Sequence, residues 1–333
     1  MNVRGKEIFV GLSGGVDSAV SAALLQRLGA RVTGVFIKGW YPPGMPCTWT
    51  AERRDTMRVA ARLGVPFLTL DASKEYKKSV IDYLVAEYRA GRTPNPDVMC
   101  NRDVKFGAFY RFAKEQGADA IATGHYRSGG KDQSYFLWAV PKEILAETIF
   151  PVGNLEKEEV RMLAKRFNLP VAEKKDSQGV CFLGSISVEE FLKSEFGISS
   201  GNARDEKGRV IGTHEGVLLS TLGQRIALAD SVEAGPWFVL AKDIAKNELI
   251  VGKSRVPASA ESARRIAFTD ANWILEPLGA LEAQYRYRGP RIRGHVEGKM
   301  FVSDAPLPEI PSPGQSIVFF RGGELLGGGI IAP

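Results

Sequence analysis

Cysteine is scarce in this 333-residue chain: there are three, Cys47, Cys100 and Cys181, far apart and with no CxxC pair. That excludes a disulfide-stapled secreted scaffold and a zinc site of the usual ligand spacing, and leaves buried small hydrophobes or reactive thiols. Long apolar runs are missing as well. No stretch approaches a membrane span and the Met1–Lys6 start carries no apolar signal core, so the expectation is a cytoplasmic protein with no membrane partner. Charge of one sign is not in large excess: a formal net charge of +6 permits a nucleic-acid partner without requiring one. No internal repeat or low-complexity segment is evident, and the length exceeds most single cores, so two or three domains are expected.

Two common phosphate loops are excluded by what the N-terminal region lacks. There is no Lys between Glu7 and Lys38, so a Walker-type loop is out, and Gly11, Gly14 and Gly15 stand at the wrong offsets for a dinucleotide fingerprint. What is there is the apolar run Ile8–Leu12 followed by Ser13-Gly14-Gly15-Val16-Asp17-Ser18 and then a helical pattern from Ala19 to Leu28. That order reads as strand, tight loop, helix. Gly14 and Gly15 allow backbone N–H groups to approach an anion closely, and the new helix adds its positive N-terminal end. Ser13 and Ser18 supply hydroxyls, while Asp17 is an odd acid to set beside phosphates unless it also handles a metal ion.

Downstream, Arg31–Ile37 reads as a second strand, Ala51–Leu63 as a helix, Val65–Leu70 as a third strand, Ser73–Tyr88 and Val104–Gln116 as helices and Ala118–Thr123 as a strand. Strands alternating with helices imply an α/β fold with a parallel sheet covered on both faces, whose ligands sit beyond the carboxyl ends of the strands. The Ser13 loop, Ile37 to Trp40 and Gly124-His125-Tyr126 all fall there. A strand is expected over Tyr135–Val140 and a helix over Glu156–Phe167. From Gly201 the texture changes to short alternating runs, Val217–Ser220, Trp237–Ala241 and Glu248–Val251, then Ala283–Arg288, His295–Glu297 and Ile317–Phe320, with a turn at Gly327–Gly329. These read as small β domains.

Three stretches carry chemistry. Gly91 to Asn101 (GRTPNPDVMCN) is a stiff, exposed loop in which Asp97 and Cys100 are three residues apart, close enough for a carboxylate to exchange a proton with a group the thiol meets. Lys174 and Lys175 precede Cys181 in KKDSQGVCF, and neighbouring lysines favour a thiolate. Tyr285 to Arg293 (YRYRGPRIR) holds four arginines; on a strand Arg286 and Arg288 would share a face suited to phosphate, with tyrosines opposite for stacking. Alone, the first stretch is equally consistent with a surface loop holding a partly buried Cys, and the third reads more readily as a solvated strand face over a Tyr-containing core.

Taken together, SGGVDS, GRTPNPDVMCN, TGHY, KDQSYFL, FPVG, KKDSQGVCF, TLGQR, RYR, PGQ and LGGG resemble the MnmA/TrmU family, the tRNA-specific 2-thiouridylases, from about residue 7 to the C-terminus. The loop itself resembles that of the PP-loop ATP pyrophosphatases. The resemblance implies a PP-loop catalytic domain over 1–198, a small central β domain over 199–256 and a C-terminal β-barrel over 257–333. It implies that Gly11, Leu12, Ser13, Gly14, Gly15, Val16, Asp17 and Ser18 hold ATP, with Ile37 and Gly124 completing the nucleotide site and Mg2+ carried by the phosphates, Asp17 being a candidate ligand. It gives Asn95, Pro96 and Asp97 to the target base, Cys100 as nucleophile, Cys181 as persulfide carrier and Asp97 as acid/base. Lys131, Asp132, Gln133, Arg286 and Tyr287 match positions that touch tRNA, and His125 and Gln315 match positions tied to tRNA binding. Ile37 stands where the family usually has Met, and LSTLGQRIA lacks the usual aromatic before Thr and the Lys-Gly after Arg. Cys47 is read as structural.

The implied reaction is ATP-dependent 2-thiolation of a tRNA wobble uridine, with a cysteine desulfurase or sulfur relay protein as donor. Other readings stay open: a PP-loop ligase adenylating a small metabolite, an iron–sulfur cluster held by Asp97, Cys100 and Cys181, or a non-catalytic RNA-binding protein with a vestigial loop.

Overall fold

Ile8, Phe9 and Val10 are buried in strand β1, Glu7–Gly11, as befits a central strand with parallel neighbours on both sides. The computed structural model describes residues 2–42, 49–175, 187–256 and 263–333, and the chain divides into two units, Met1–Ile81 with Asp97–Ile186 and Asp82–Pro96 with Ser187–Pro333.

In the first unit β1 leads into α1 (Val16–Arg27), β2 (Arg31–Lys38), α2 (Trp49–Leu63), β3 (Phe67–Asp71) and α3 (Ser73–Tyr76). A π-helical stretch, Lys77–Asp82, continues into α4 (Tyr83–Arg89) of the second unit. Then come α5 (Pro96–Met99), a second π-helical stretch (Cys100–Ala108), α6 (Phe109–Glu115), β4 (Ala120–Ala122), α7 (Lys142–Ala146), β5 (Thr148–Ile149) and α8 (Lys157–Arg166). The sheet order is β3-β2-β1-β4-β5 and every pair is parallel. The chain winds away from β1 in one direction to β3 and returns on the other side at β4. The switch point of this doubly wound sheet therefore lies between β1 and β4, where ligands of such folds bind. One expected strand is absent: residues Ser134–Leu137 form a 3₁₀ turn, with Tyr135, Leu137, Trp138 and Val140 all buried. A short run buried on every side gives the same pattern as a buried strand.

In the second unit, α9 (Val188–Phe196) starts with a capping box between Ser187 and Glu190 and stops at Gly197, φ 58°. A five-stranded sheet follows, from β6 (Gly201–Arg204), β7 (Val210–His214), β8 (Arg225–Ile226), β9 (Trp237–Asp243) and β10 (Glu248–Gly252), in the order β7-β6-β10-β9-β8. Val217–Leu219 is a 3₁₀ turn rather than the expected strand. The last segment is a closed barrel of β11 (Arg265–Trp273), β12 (Leu281–Gln284), β13 (Ile292–Glu297), β14 (Met300–Ser303), β15 (Ser316–Arg321) and β16 (Glu324–Ile331). Closure leaves no free edge. Phe268, Phe301 and Phe319 fill it. Gly327–Gly329, expected as a turn, lies inside β16: a side chain at Gly329 would come within 2.7 Å of the Phe268 ring, so the glycines make room for the aromatic core. The expected strand Ala283–Arg288 ends at Gln284, and Arg288 has φ 61°, so Arg286 and Arg288 do not share a strand face.

Candidate nucleotide and thiol site

The loop between β1 and α1 is held by its own serines. Ser13 N donates to Ser18 Oγ at 3.2 Å, Gly15 N to Ser13 Oγ at 3.3 Å, and Ser18 Oγ to the Gly15 carbonyl at 3.3 Å. Gly14, at φ 73°, passes so close to α2 that a side chain there would lie 2.8 Å from the Glu52 carbonyl. From the far side of the switch point, Gly124 reaches the head of α1. A side chain on it would sit 2.7 Å from Ser18 N. The absent Cβ atoms thus leave the first amides of α1 approachable, and a helix start of this kind attracts an anion. Ile37 is on β2, partly buried, paired with Leu70, and two residues beyond the partner of Gly11. Gly11, Leu12, Ser13, Gly14, Gly15, Val16, Asp17, Ser18, Ile37 and Gly124 therefore all lie at or near the carboxyl ends of β1, β2 and β4. The cradle fits a phosphate chain.

Asp17 is the charged centre of this loop, and sequence reasoning left its partners out. Its Oδ1 receives Lys157 Nζ at 2.7 Å and the Tyr126 hydroxyl at 2.7 Å. Lys157 is only 8% exposed and occupies the first position of α8, where the helix dipole disfavours a cation. That local conflict is the signal the sequence offered. A second lysine, Lys174, donates to the Gly14 carbonyl at 3.0 Å and to Asp55 Oδ2 at 2.7 Å. A magnesium ion would therefore find one Asp17 oxygen already shared by a cation and a hydroxyl. The described residues contain no group of three or more His, Cys, Asp or Glu side chains fit to hold a metal.

A line of hydrogen bonds runs from the loop to the segment after β4. Gln133 Oε1 accepts the Tyr126 amide at 3.0 Å, and Gln133 N donates to the Tyr126 carbonyl at 3.0 Å. Asp132 Oδ1 accepts the Ser134 amide at 2.8 Å, and Lys131, in the 3₁₀ turn Gly129–Lys131, is exposed. His125 Nδ1 is 2.9 Å from Thr123 Oγ1, and its ring lies against Phe106 and Phe150, with centroids 5.3 and 6.4 Å away. Burial, aided by nearby Lys105, pushes its pKa down to about 3, so the imidazole is neutral at physiological pH.

The remaining candidate residues lie in both units. Asn95 is buried, and Pro96 opens α5, a place where its missing N–H costs nothing. Asp97 and Cys100 are one helical turn apart; Asp97 is partly exposed and Cys100 buried at the start of the π-helical stretch. In the second unit, Arg286 donates through Nη2 to the Leu222 carbonyl at 2.9 Å and pairs through Nε with buried Glu309 at 3.3 Å. Tyr287 is partly exposed beside Arg288, whose guanidinium lies 5.3 Å from its ring centre. Gln315 donates through Nε2 to the Thr93 carbonyl at 2.8 Å and the Pro94 carbonyl at 3.2 Å. Cys181 and Cys47 lie outside the described residues.

Residues 6–185 match the family model described as the tRNA methyl transferase HUP domain, residues 189–253 the tRNA methyl transferase PRC-barrel domain, and residues 263–331 the aminomethyltransferase beta-barrel domain. The tRNA-specific 2-thiouridylase MnmA of Akkermansia muciniphila is 41% identical over 348 residues, covering 97% of this chain and 97% of that protein. The protein of the same name from Streptococcus pyogenes serotype M3 is 41% identical over 353 residues, covering 97% of this chain and 94% of that one. Among solved structures, the U34-tRNA thiolase NcsA of Methanococcus maripaludis with its 4Fe-4S cluster aligns with a TM-score of 0.39 at 19% identity, covering 58% of this chain and 68% of that chain.

Proposed function

The chain belongs to the tRNA-specific 2-thiouridylase family, and from that premise we propose that it uses ATP to replace oxygen by sulfur on carbon 2 of the wobble uridine of tRNA. In it a catalytic part spans 1–198, a central β part 199–256 and a barrel 257–333. The observation that carries the reading is the placement of Asp97 and Cys100, a carboxylate and a buried thiol one turn apart on the chain that leaves the Asn95-Pro96 loop.

Oxygen on the uracil carbonyl is a poor leaving group. Attack of that oxygen on the α-phosphorus of ATP forms the adenylate and expels pyrophosphate. The loop from Gly11 to Ser18 holds the phosphates through the α1 amides, and Lys157 balances Asp17 beside them. Gly124 and Ile37 complete the nucleotide site. Magnesium bound with ATP supplies charge neutralisation on the phosphates, with Asp17 as the candidate protein ligand. Sulfur arrives as a persulfide on Cys181. Its terminal sulfur either attacks carbon 2 and expels AMP, after which Cys100 attacks the Cys181 sulfur of the resulting C2–S–S–Cys181 linkage and frees the thiouridine, or is released as sulfide when Cys100 attacks the Cys181 sulfur, the sulfide then attacking carbon 2 and expelling AMP. Both routes leave a Cys100–Cys181 disulfide, which an external thiol must reduce. Asp97 is the acid/base. Asn95 and Pro96 border the base, which must leave the anticodon stack to reach them. Lys131, Asp132, Gln133, Arg286, Tyr287, His125 and Gln315 serve tRNA binding, directly or through what they hold. The sulfur donor is a desulfurase or relay protein, and the setting is cytoplasmic. No described helix is long and apolar enough to cross a membrane.

The test is in vitro thiolation with unmodified tRNA, Mg-ATP, cysteine and a cysteine desulfurase, read by retardation in a mercury-containing gel. Retardation should require ATP, Cys100 and Cys181. Its absence, with AMP still formed when a small-molecule acceptor is supplied, would move a small-metabolite ligase to first place.

A further inference from the structure

The run from Tyr126 to Gln133 forms a closed loop beyond the carboxyl end of β4. Its two ends exchange hydrogen bonds, Tyr126 N to Gln133 Oε1 and Gln133 N to the Tyr126 carbonyl, both at 3.0 Å. Its flank lies on the turn after β5: Arg127 N donates to the Gly153 carbonyl at 2.8 Å, and Ser128 Oγ donates to the same oxygen at 3.3 Å. Gly153 permits that approach, since a Cβ on it would stand 3.0 Å from the Phe150 carbonyl and 3.7 Å from Arg127 Cβ. The loop is therefore held by its backbone, Ser128 and Gln133, and none of those bonds uses the Arg127 side chain. That side chain is exposed, its guanidinium stands 5.2 Å from the centre of the Phe150 ring, and it makes no ion pair among the described residues. The carboxylates beside the loop have other tasks. Asp132 Oδ1 accepts the Ser134 amide at 2.8 Å, and Glu156, which a side chain on Gly129 would strike, caps α8.

We propose that Arg127 is a tRNA phosphate contact, presented by Phe150 on the loop that also carries Lys131. The proposal rests on the reading of the chain as a tRNA enzyme and deepens it by naming the group on the RNA that this loop grips. A guanidinium offers paired N–H groups to two phosphate oxygens at once. Stacking on Phe150 restrains Arg127 while leaving it exposed, so less side-chain freedom is lost on binding. The Phe150 ring is itself fixed by its neighbours, with the Phe106 and His125 rings at 6.2 and 6.4 Å. The 3₁₀ turn Gly129–Lys131 sets a second exposed cation, Lys131, on the same closed loop. An exposed arginine with no acid partner is the kind of group that a polyphosphate backbone attracts, and its pairing there releases counterions from the RNA.

Binding of unmodified tRNA to the full-length protein is measured by filter retention over a range of potassium chloride concentrations. Arg127→Ala should weaken binding on the order of tenfold at low salt and make the slope of log K against log salt shallower by about one. Arg127→Lys should recover the slope but only part of the affinity, because it keeps the charge and loses the fork and the stack. The same losses should appear with a tRNA carrying cytidine at the wobble position, since a phosphate contact reads no base. Affinity for ATP and the melting temperature should not change. Arg27→Ala is the matched control: it removes another exposed arginine stacked on a ring, 4.3 Å from the centre of Phe167 at the end of α1, and should leave the slope as it is. An unchanged slope in Arg127→Ala would overturn the proposal, and so would an equal change in Arg27→Ala, which would show only diffuse charge. Lost ATP affinity would also overturn it and give Arg127 to the nucleotide, as would a lowered melting temperature in both Arg127 variants with the slope intact, which would make the residue a structural prop. If Arg127→Ala changes the slope while the wild-type protein installs no sulfur, the phosphate contact stands and the proposed 2-thiolation falls. If the wild-type protein thiolates tRNA and the slope is unchanged, the contact falls and the function stands.

Discussion

Lys157 Nζ and Asp17 Oδ1, separated by 140 residues in sequence, meet at 2.7 Å at the head of the helix that follows the phosphate-type loop. The pair joins the first turn of α8 to the first turn of α1, and Tyr126 donates to the same oxygen. Removing the lysine leaves an uncompensated, partly buried carboxylate where phosphates are expected to sit.

Lys157→Met should therefore weaken ATP binding by roughly 10- to 100-fold, the equivalent of one charge-assisted hydrogen bond of about 1.5–3 kcal/mol. Adding Asp17→Asn should restore part of that loss by removing the repulsion, which titration calorimetry of the single and double variants will read as coupling. Strictly additive losses would mean that the two residues act separately.

Gly124→Ala tests the cradle. A methyl group 2.7 Å from Ser18 N must displace either the loop or the first turn of α1. The expected result is a destabilisation of about 1–3 kcal/mol by overpacking, with nucleotide binding lost beyond that. Thermal melts with and without ATP separate the two effects, because bound ATP should raise the wild-type melting temperature more than that of the variant.

Arg286→Ala should behave as a packing and pairing defect. Its guanidinium spans the Leu222 carbonyl and Glu309, whose side chain is 7% exposed, so the substitution takes the nearer of two arginines from a buried carboxylate and leaves it Arg255 at 3.8 Å. We expect a loss of about 1–3 kcal/mol in urea unfolding, whereas Arg288→Ala, at an exposed position, should change stability little and act on tRNA affinity. Equal stability losses would contradict this division.

His125 predicts a pH signature. Its folded pKa is depressed to about 3 from an ordinary 6.5, chiefly by burial and secondly by Lys105. Between those values the unfolded chain binds the proton and the folded one does not. The stabilisation is complete above pH 6.5 and is lost as pH falls toward 3, at up to about 1.4 kcal/mol per pH unit. His125→Phe should flatten the fall of melting temperature between pH 6.5 and 4. A wild-type slope that the substitution leaves unchanged would show that His125 titrates normally.

Much of the architecture was legible because it is local. The alternation of strand and helix from Glu7 to Ile149 specified the parallel sheet, and Gly14 and Gly15 specified the tight turn before α1. Errors arose where local pattern is degenerate. The apolar run at Tyr135–Val140 reads as a strand or as a buried turn with equal ease, and the Gly327–Gly329 run reads as a turn although aromatic packing places it in β16. The partners of the loop were beyond sequence reasoning altogether, since Lys157 and Lys174 reach Asp17 and Gly14 across 140 and 160 residues. The only local trace of the first pair is a cation at a helix start.

Adenylation of the uracil oxygen, as proposed, sends that oxygen out on AMP, and isotope transfer follows the atom itself. Transfer RNA carrying oxygen-18 at carbon 2 of the wobble uridine is thiolated with unlabelled Mg-ATP, and the AMP is analysed by mass spectrometry. One oxygen-18 atom is expected in the AMP for each sulfur installed. Unlabelled AMP accompanying thiolated tRNA would contradict it and require another way of activating carbon 2.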